Sequence, residues 1–99
     1  MGATNQLAIP EEALRDEKSF ELARVWVANK GQHVSLRIGT WEDPSAWGIV
    51  LADLARHVAN GYKQDMNLDP IETVARIKKL FLAELDSPTD EPTGTVLKM

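Results

Sequence analysis

Cysteine is absent from the chain, so no disulfide framework, thiolate nucleophile or sulfur-ligated zinc site can be built from it. Stability has to come from packing. Long apolar runs are missing as well, and the N-terminal MGATNQLAIPEEALRDEK has no basic region followed by an apolar one, which argues against a membrane span or a secretory leader. The sixth residue is Gln6, where a myristoylation signal would need Ser or Thr. A cytoplasmic protein without membrane attachment is the expectation.

Glycines number six and fall in no GxGxxG or GxxxxGK[ST] pattern, so no loop is available to cradle the phosphates of a nucleotide. Two histidines with no HExxH spacing give little ground for a metal site. Neither a metal nor a cofactor is expected. Positive charge is in deficit, 11 Lys and Arg against 15 Asp and Glu for a net charge of -4, which disfavours a general polyanion binder. The deficit is uneven, however. Between residues 18 and 38, Lys18, Arg24, Lys30 and Arg37 face Glu21 alone, whereas Asp86, Asp90 and Glu91 dominate the C-terminal stretch.

What is present is ordinary in bulk: 99 residues, 43% hydrophobic and 26% charged, enough for one core and not for two. The chain divides by texture into a polar segment 1–17, a single α+β domain 18–85, and an acidic Pro/Thr tail 86–99. In the first segment Pro10 opens PEEALRDE, which suits a short helix start. The tail has too little apolar surface to offset the entropy of ordering it. Only Gly94-Thr95-Val96-Leu97 stands out there, as a segment able to add a strand to an open sheet edge.

Two β-branched and aromatic runs, FELARVWVA and HVSLRIG, joined by NKGQ, predict an antiparallel hairpin. Two registers compete. Pairing Val27 with Val34 makes Ala23, Val25, Val27, Val34, Leu36 and Ile38 a wholly apolar face but opposes Arg24 to Arg37, which costs something. A three-residue Asn29-Lys30-Gly31 loop instead sets Trp26 opposite Val34 and brings Arg24 onto the face of Phe20, Leu22, Trp26, Val34, Leu36 and Ile38. The first is favoured, because its buried face hides no charge.

Helical periodicity follows. Trp47, Leu51, Leu54, Val58 and Tyr62 recur at steps of three and four, an amphipathic stripe, with Asp43 as N-cap, Pro44 at the first position and Asn60-Gly61 as a stop. Asp69-Pro70-Ile71-Glu72 opens a second helix with the makings of a capping box. Its apolar face is Ile71, Val74, Ile77, Leu80, Phe81, Leu82 and Leu85, and Glu72 and Arg76 are spaced to pair on the other side. The short linker GYKQDMNL predicts antiparallel neighbours.

The expected architecture is therefore an antiparallel β-hairpin followed by two antiparallel amphipathic helices packed on one of its faces. A two-stranded sheet is marginal alone, and its second face, with Phe20, Leu22, Arg24, Trp26, Ser35 and Arg37, is too apolar for open solvent. Its edges are unpaired too. A homodimer that completes a larger sheet answers both problems.

Candidate chemistry is sparse. Asp53 and His57 lie four apart on one helix, where a carboxylate could orient an imidazole, but no serine sits in a strand-to-helix elbow to be activated and a surface pair is the plainer reading. Arg24, Trp26 and Arg37, with His33 nearby, could stack a base and meet phosphates, although RNP-type motifs are missing and an interface role for Trp26 is favoured. Trp41 and Trp47 flank Asp43-Pro44 and could wall a small-ligand pocket between hairpin and helices. Gly48, inside the second helix-forming stretch, costs about 1 kcal/mol relative to alanine. A closely packed strand, or Trp41 itself, is expected against it.

The segment from Ala23 to Tyr62 resembles a family of small bacterial proteins designated domain of unknown function 5076, in its Arg24-Val25-Trp26, Trp41-Glu42-Asp43, Trp47-Gly48 and Asp53-Leu54-Ala55. The resemblance implies a fold without implying an activity, a cofactor or a catalytic residue. It agrees with the reading from the residues that no catalytic motif is present. The expected function, from the open sheet edge and second face, is a non-catalytic, homodimeric interaction module.

Overall fold

Asn29 and Lys30 both adopt left-handed backbone, at φ 51 and 63, and that pair decides how the hairpin is built. A two-residue turn with both central residues at positive φ matches the right-handed twist of the strands it joins. In the computed structural model, which describes residues 5–89 and the backbone of 93–98, β1 (Ala23–Ala28) and β2 (Gly31–Ile38) pair antiparallel around this turn. Val25 stands opposite Val34, Ala23 opposite Leu36, and Trp26 opposite His33.

Neither register weighed from the sequence occurs. The pairing slides by two residues from the favoured one, so Val27 meets Gln32 and Arg24 meets Ser35. Because side chains alternate with period two, a two-residue slide leaves every side chain on its original face. The apolar set Ala23, Val25, Val27, Val34, Leu36 and Ile38 therefore survives intact, and the opposition of Arg24 to Arg37 is removed.

A third strand, β3 (Thr93–Lys98), runs parallel to β2 and puts β2 at the centre, with Val34 beside Gly94 and Leu36 beside Val96. Gly94 to Leu97, the segment suited to strand addition, lies within it. Upstream, α1 (Glu11–Arg15) is a single turn and a half, fastened by Arg15 to Glu11 and Glu12 at 2.8 and 3.0 Å.

Between β2 and β3 come α2 (Ala46–Met66) and α3 (Pro70–Asp86). The expected stop at Asn60-Gly61 does not occur, since α2 continues five residues past Gly61. Asn67 ends it instead, in left-handed backbone at φ 58, its N–H bonded to the Lys63 carbonyl at 3.0 Å, while Leu68 N–H reaches the Tyr62 carbonyl at 3.4 Å. One interior glycine costs helix stability without ending the helix, and no left-handed residue ends it before Asn67. At the other boundary Asp69 and Pro70 start α3 as expected, but no side-chain cap bond forms, and among the described residues Glu72 makes no ion pair with Arg76.

The helices meet along one narrow seam. Ala59 of α2 is 1% exposed and Thr73 of α3 is 9% exposed, its hydroxyl turned back to the Asp69 carbonyl at 2.9 Å. Ala55, Val74 and Ile77 are half-buried beside them. No other described residue is buried.

The helices do not cover the sheet. No Cα of either helix comes within 8 Å of a Cα of any strand, so the expected packing of α2 and α3 on one face of the hairpin is not made inside the chain. Consequently the stripes meant for a core stay open: Leu51, Leu54, Val58, Leu80 and Phe81 on the helices, and Val25 and Val27 on the sheet, are all exposed. The chain presents 8986 Å² of accessible surface, where a compact monomer of this mass would present about 5,600 Å². Its radius of gyration is 15.4 Å against about 12.6 Å for a compact domain of this length.

Lys30 carries a side chain in backbone that glycine adopts without cost. Replacing it, Lys30→Gly, should raise stability by up to about 1 kcal/mol, read as a higher urea midpoint at fixed protein concentration. A lowered midpoint would show that the turn does not strain this position.

Candidate surfaces on the sheet and helices

Arg24, Trp26, His33 and Arg37, picked out in the sequence as one surface, do share one face of the hairpin, because β1 positions 24 and 26 align with β2 positions 35 and 33. The two guanidiniums are already engaged. Arg24 grips both carboxylate oxygens of Glu21, at 3.1 and 3.2 Å, a forked geometry stronger than a single contact. Arg37 donates from Nε to the Glu21 carbonyl at 2.9 Å and lays its guanidinium 5.2 Å from the centre of the Phe20 ring, a cation–π arrangement.

Glu21 and Phe20 thus organise this face, and no site argument from sequence included them. The signal was there in the three-residue spacing of Glu21 and Arg24. His33 lies within hydrogen-bond distance, 3.1 Å from Nε2 to the Ala28 carbonyl, bracing the turn end of the hairpin. Trp26 is half-buried across from it.

Trp41 and Trp47 come together as well, but with each other. Their ring centres are 5.7 Å apart at an interplanar angle of 85°, the edge-to-face arrangement that ring quadrupoles favour. This spends the indole faces on a corner. Neither indole lines the apolar grooves beside the helix seam, one of about 590 Å³ along Gly48, Leu51, Leu54, Val74, Ile77 and Phe81 and one of about 680 Å³ along Tyr62, Leu68 and Leu80.

Gly48 corrects another expectation. A Cβ built there would meet nothing within 4 Å, so neither a strand nor Trp41 packs against it. Asp53 and His57 form no hydrogen bond or ion pair with one another, and no group of three or more metal-ligating side chains occurs among the described residues. No helix among them is long and apolar enough to cross a membrane.

The corner also contains a carboxylate with a lowered pKa. Asp43 Oδ1 accepts the Ser45 N–H at 3.0 Å, and the backbone then winds through successive bonds from Ala46, Trp47 and Gly48 N–H to the carbonyls of Asp43, Pro44 and Ser45. Each spans three residues, a tight first turn of the 3₁₀ kind. The N-cap of α2 is thus Ser45, with no side-chain cap bond, and regular α-helix starts at Ala46, two residues beyond the expected start at Pro44. Asp43 caps the tight turn that precedes the helix instead. The Ser45 backbone bond, aided by the Ser45 hydroxyl, holds this carboxyl below its ordinary value.

Comparison with known proteins places these features. The sequence pattern of the family described as Domain of unknown function (DUF5076) matches residues 6–89. A solved structure from the photosynthetic bacterium Rhodopseudomonas palustrus CGA009, of a protein provisionally described as a pyruvate dehydrogenase, is similar at 33% identity and a TM-score of 0.72, over 94% of this chain and 95% of that one. No curated protein matches.

A folded-state pKa below the unfolded one stabilises the fold above the unfolded value and ceases to do so as pH falls through the folded value. The Ser45 amide proton should therefore titrate with a midpoint under the ordinary aspartate value of about 3.9, and Asp43→Asn should abolish that titration. A midpoint at or above the ordinary value would remove the capping role.

Proposed function

Starting from the premise that the chain belongs to the DUF5076 family, we propose that it is a non-catalytic interaction module that works as a homodimer. One observation carries this reading: both layers of the fold keep apolar faces that nothing among the described residues covers. Contiguous exposed apolar surface on that scale marks an interaction site. A twofold dimer is the commonest way for one soluble chain to cover it.

The non-catalytic part rests on the residues. Asp53 and His57 are unconnected, the arginines of the sheet face are occupied by Glu21 and Phe20, and the chain offers neither a cysteine nucleophile nor a phosphate-binding glycine loop. The dehydrogenase description belongs to the structural relative. Nothing in this chain's own side chains adds a hydride or acyl-transfer site to it.

Sedimentation at micromolar concentration is the direct check. A species of twice the chain mass, with an unfolding midpoint that rises with protein concentration, is the expected result. A strict monomer across that range would end the proposal.

A second reading is single-stranded nucleic-acid binding, favoured by the shared face of Arg24, Trp26, His33 and Arg37. Stacking of a base on Trp26 with phosphates on the flanking cations would follow the usual mode. It predicts quenching of Trp26 fluorescence by a short oligonucleotide at low salt, reversed as salt rises. The signal should be lost in Trp26→Leu and kept in Trp41→Phe. No quenching at low salt counts against it.

A further inference from the structure

The self-association reading leaves open which surfaces meet, and resting on that reading we infer that two copies dock reciprocally, the apolar sheet face of each on the α2–α3 face of the other. The helix-on-sheet layer missing within one chain is then made twice between two.

Three observations on the page point to this occupant. The first is the pairing of β2 with β3. A helical crossover between parallel strands normally packs its helices back onto the sheet, yet the helices that connect these two strands stand clear of all three. The covering has to come from elsewhere, and a second copy carries a matching pair of helices.

The second is chemical fit. Among the described side chains, the hairpin part of this face, Ala23, Val25, Val27, Val34, Leu36 and Ile38, carries no charge, and Gln32 is its one polar member, with Lys98 of β3 at the register position beside Ile38. Opposite it would lie Leu51, Leu54, Val58, Ile77 and Phe81. The charges bordering the helical grooves, Arg56, Arg76, Lys78 and Glu84, can stay at the rim, where an interface keeps its polar groups. Gly48 gains a role here. The open space above it admits a neighbouring backbone that a side chain would hold away.

The third is area. The chain exposes roughly 3,400 Å² beyond a compact monomer of its mass, so two chains have about 6,800 Å² of such surface between them. Obligate dimers bury about 2,000–5,000 Å² in total, which this surface is large enough to supply. Sheet on sheet or helix on helix alone would leave the other layer open.

The absence of cysteine makes the test clean. Val25→Cys, on the sheet, and Leu54→Cys, on α2, are refolded separately and together, then treated with a short bis-maleimide, with circular dichroism used to confirm that each variant is folded. Reciprocal docking predicts that neither variant cross-links alone, while the mixture yields covalent dimers from the half or so of pairs that random association makes mixed. Efficient cross-linking of either variant with itself, in a protein that still sediments as a dimer, overturns the reciprocal arrangement and leaves self-association standing. A doubly substituted chain that cross-links internally and runs as a monomer overturns it differently, by showing that helices and sheet close within one molecule. A monomer by sedimentation removes the parent reading itself. Should either cysteine variant fail to fold, Val25→Asp and Leu51→Lys serve instead: each alone should be monomeric, and mixing should restore dimers through the one intact sheet–helix contact. No recovery on mixing the folded monomers overturns the proposal.

Discussion

The separation of sheet from helices is the constraint on which everything else in this molecule depends. A helix stripe and a sheet face each need an apolar neighbour, and in small α+β domains each normally serves the other. Here the two layers stand apart, the helices meet only along the seam of Ala59 and Thr73, and the hydrophobic effect is left largely unused inside one chain. Small proteins have little margin to leave it so. On the proposed reading, the exposed faces are half of a structure and not the surface of a whole one.

That view orders the other features. The hairpin turn at Asn29-Lys30 sets the register and so collects the valines on one face. Glu21 and Phe20 engage the arginines of the opposite face. Asp43 and the paired tryptophans form the corner from which α2 departs. Each device aims an apolar surface outward, and none assembles reacting groups.

Much of this was legible in the residues. Period-two alternation predicts the hairpin and the membership of its faces, and periods of three and four predict both helices, with Asp69-Pro70 and Asp43-Pro44 marking their entries. The register was not legible, because left-handed backbone at Lys30 contradicts its side-chain preference and only the strands' twist makes it worthwhile. Helix length was misjudged at Asn60-Gly61, since two Asn-containing segments offer a stop and the left-handed backbone is taken at Asn67, six residues further on. Placement of the layers could not be read at all. A stripe such as Leu51, Leu54 and Val58 records that it wants an apolar partner, and records nothing about which chain provides one.

The central position of β2 has a consequence for how the fold is reached in time. Its antiparallel neighbour ends three residues before it starts, whereas its parallel neighbour pairs Thr93 with His33 across the whole helical segment. Hairpin and helix pair are local and can each close on the microsecond scale, but the β2–β3 ladder must close a loop of about sixty residues, a non-local step of the kind that slows folding. Until that step is complete, one side of β2 displays unpaired backbone donors and acceptors to any extended segment nearby. The rate at which β3 arrives therefore governs how long each new molecule is open to mispairing.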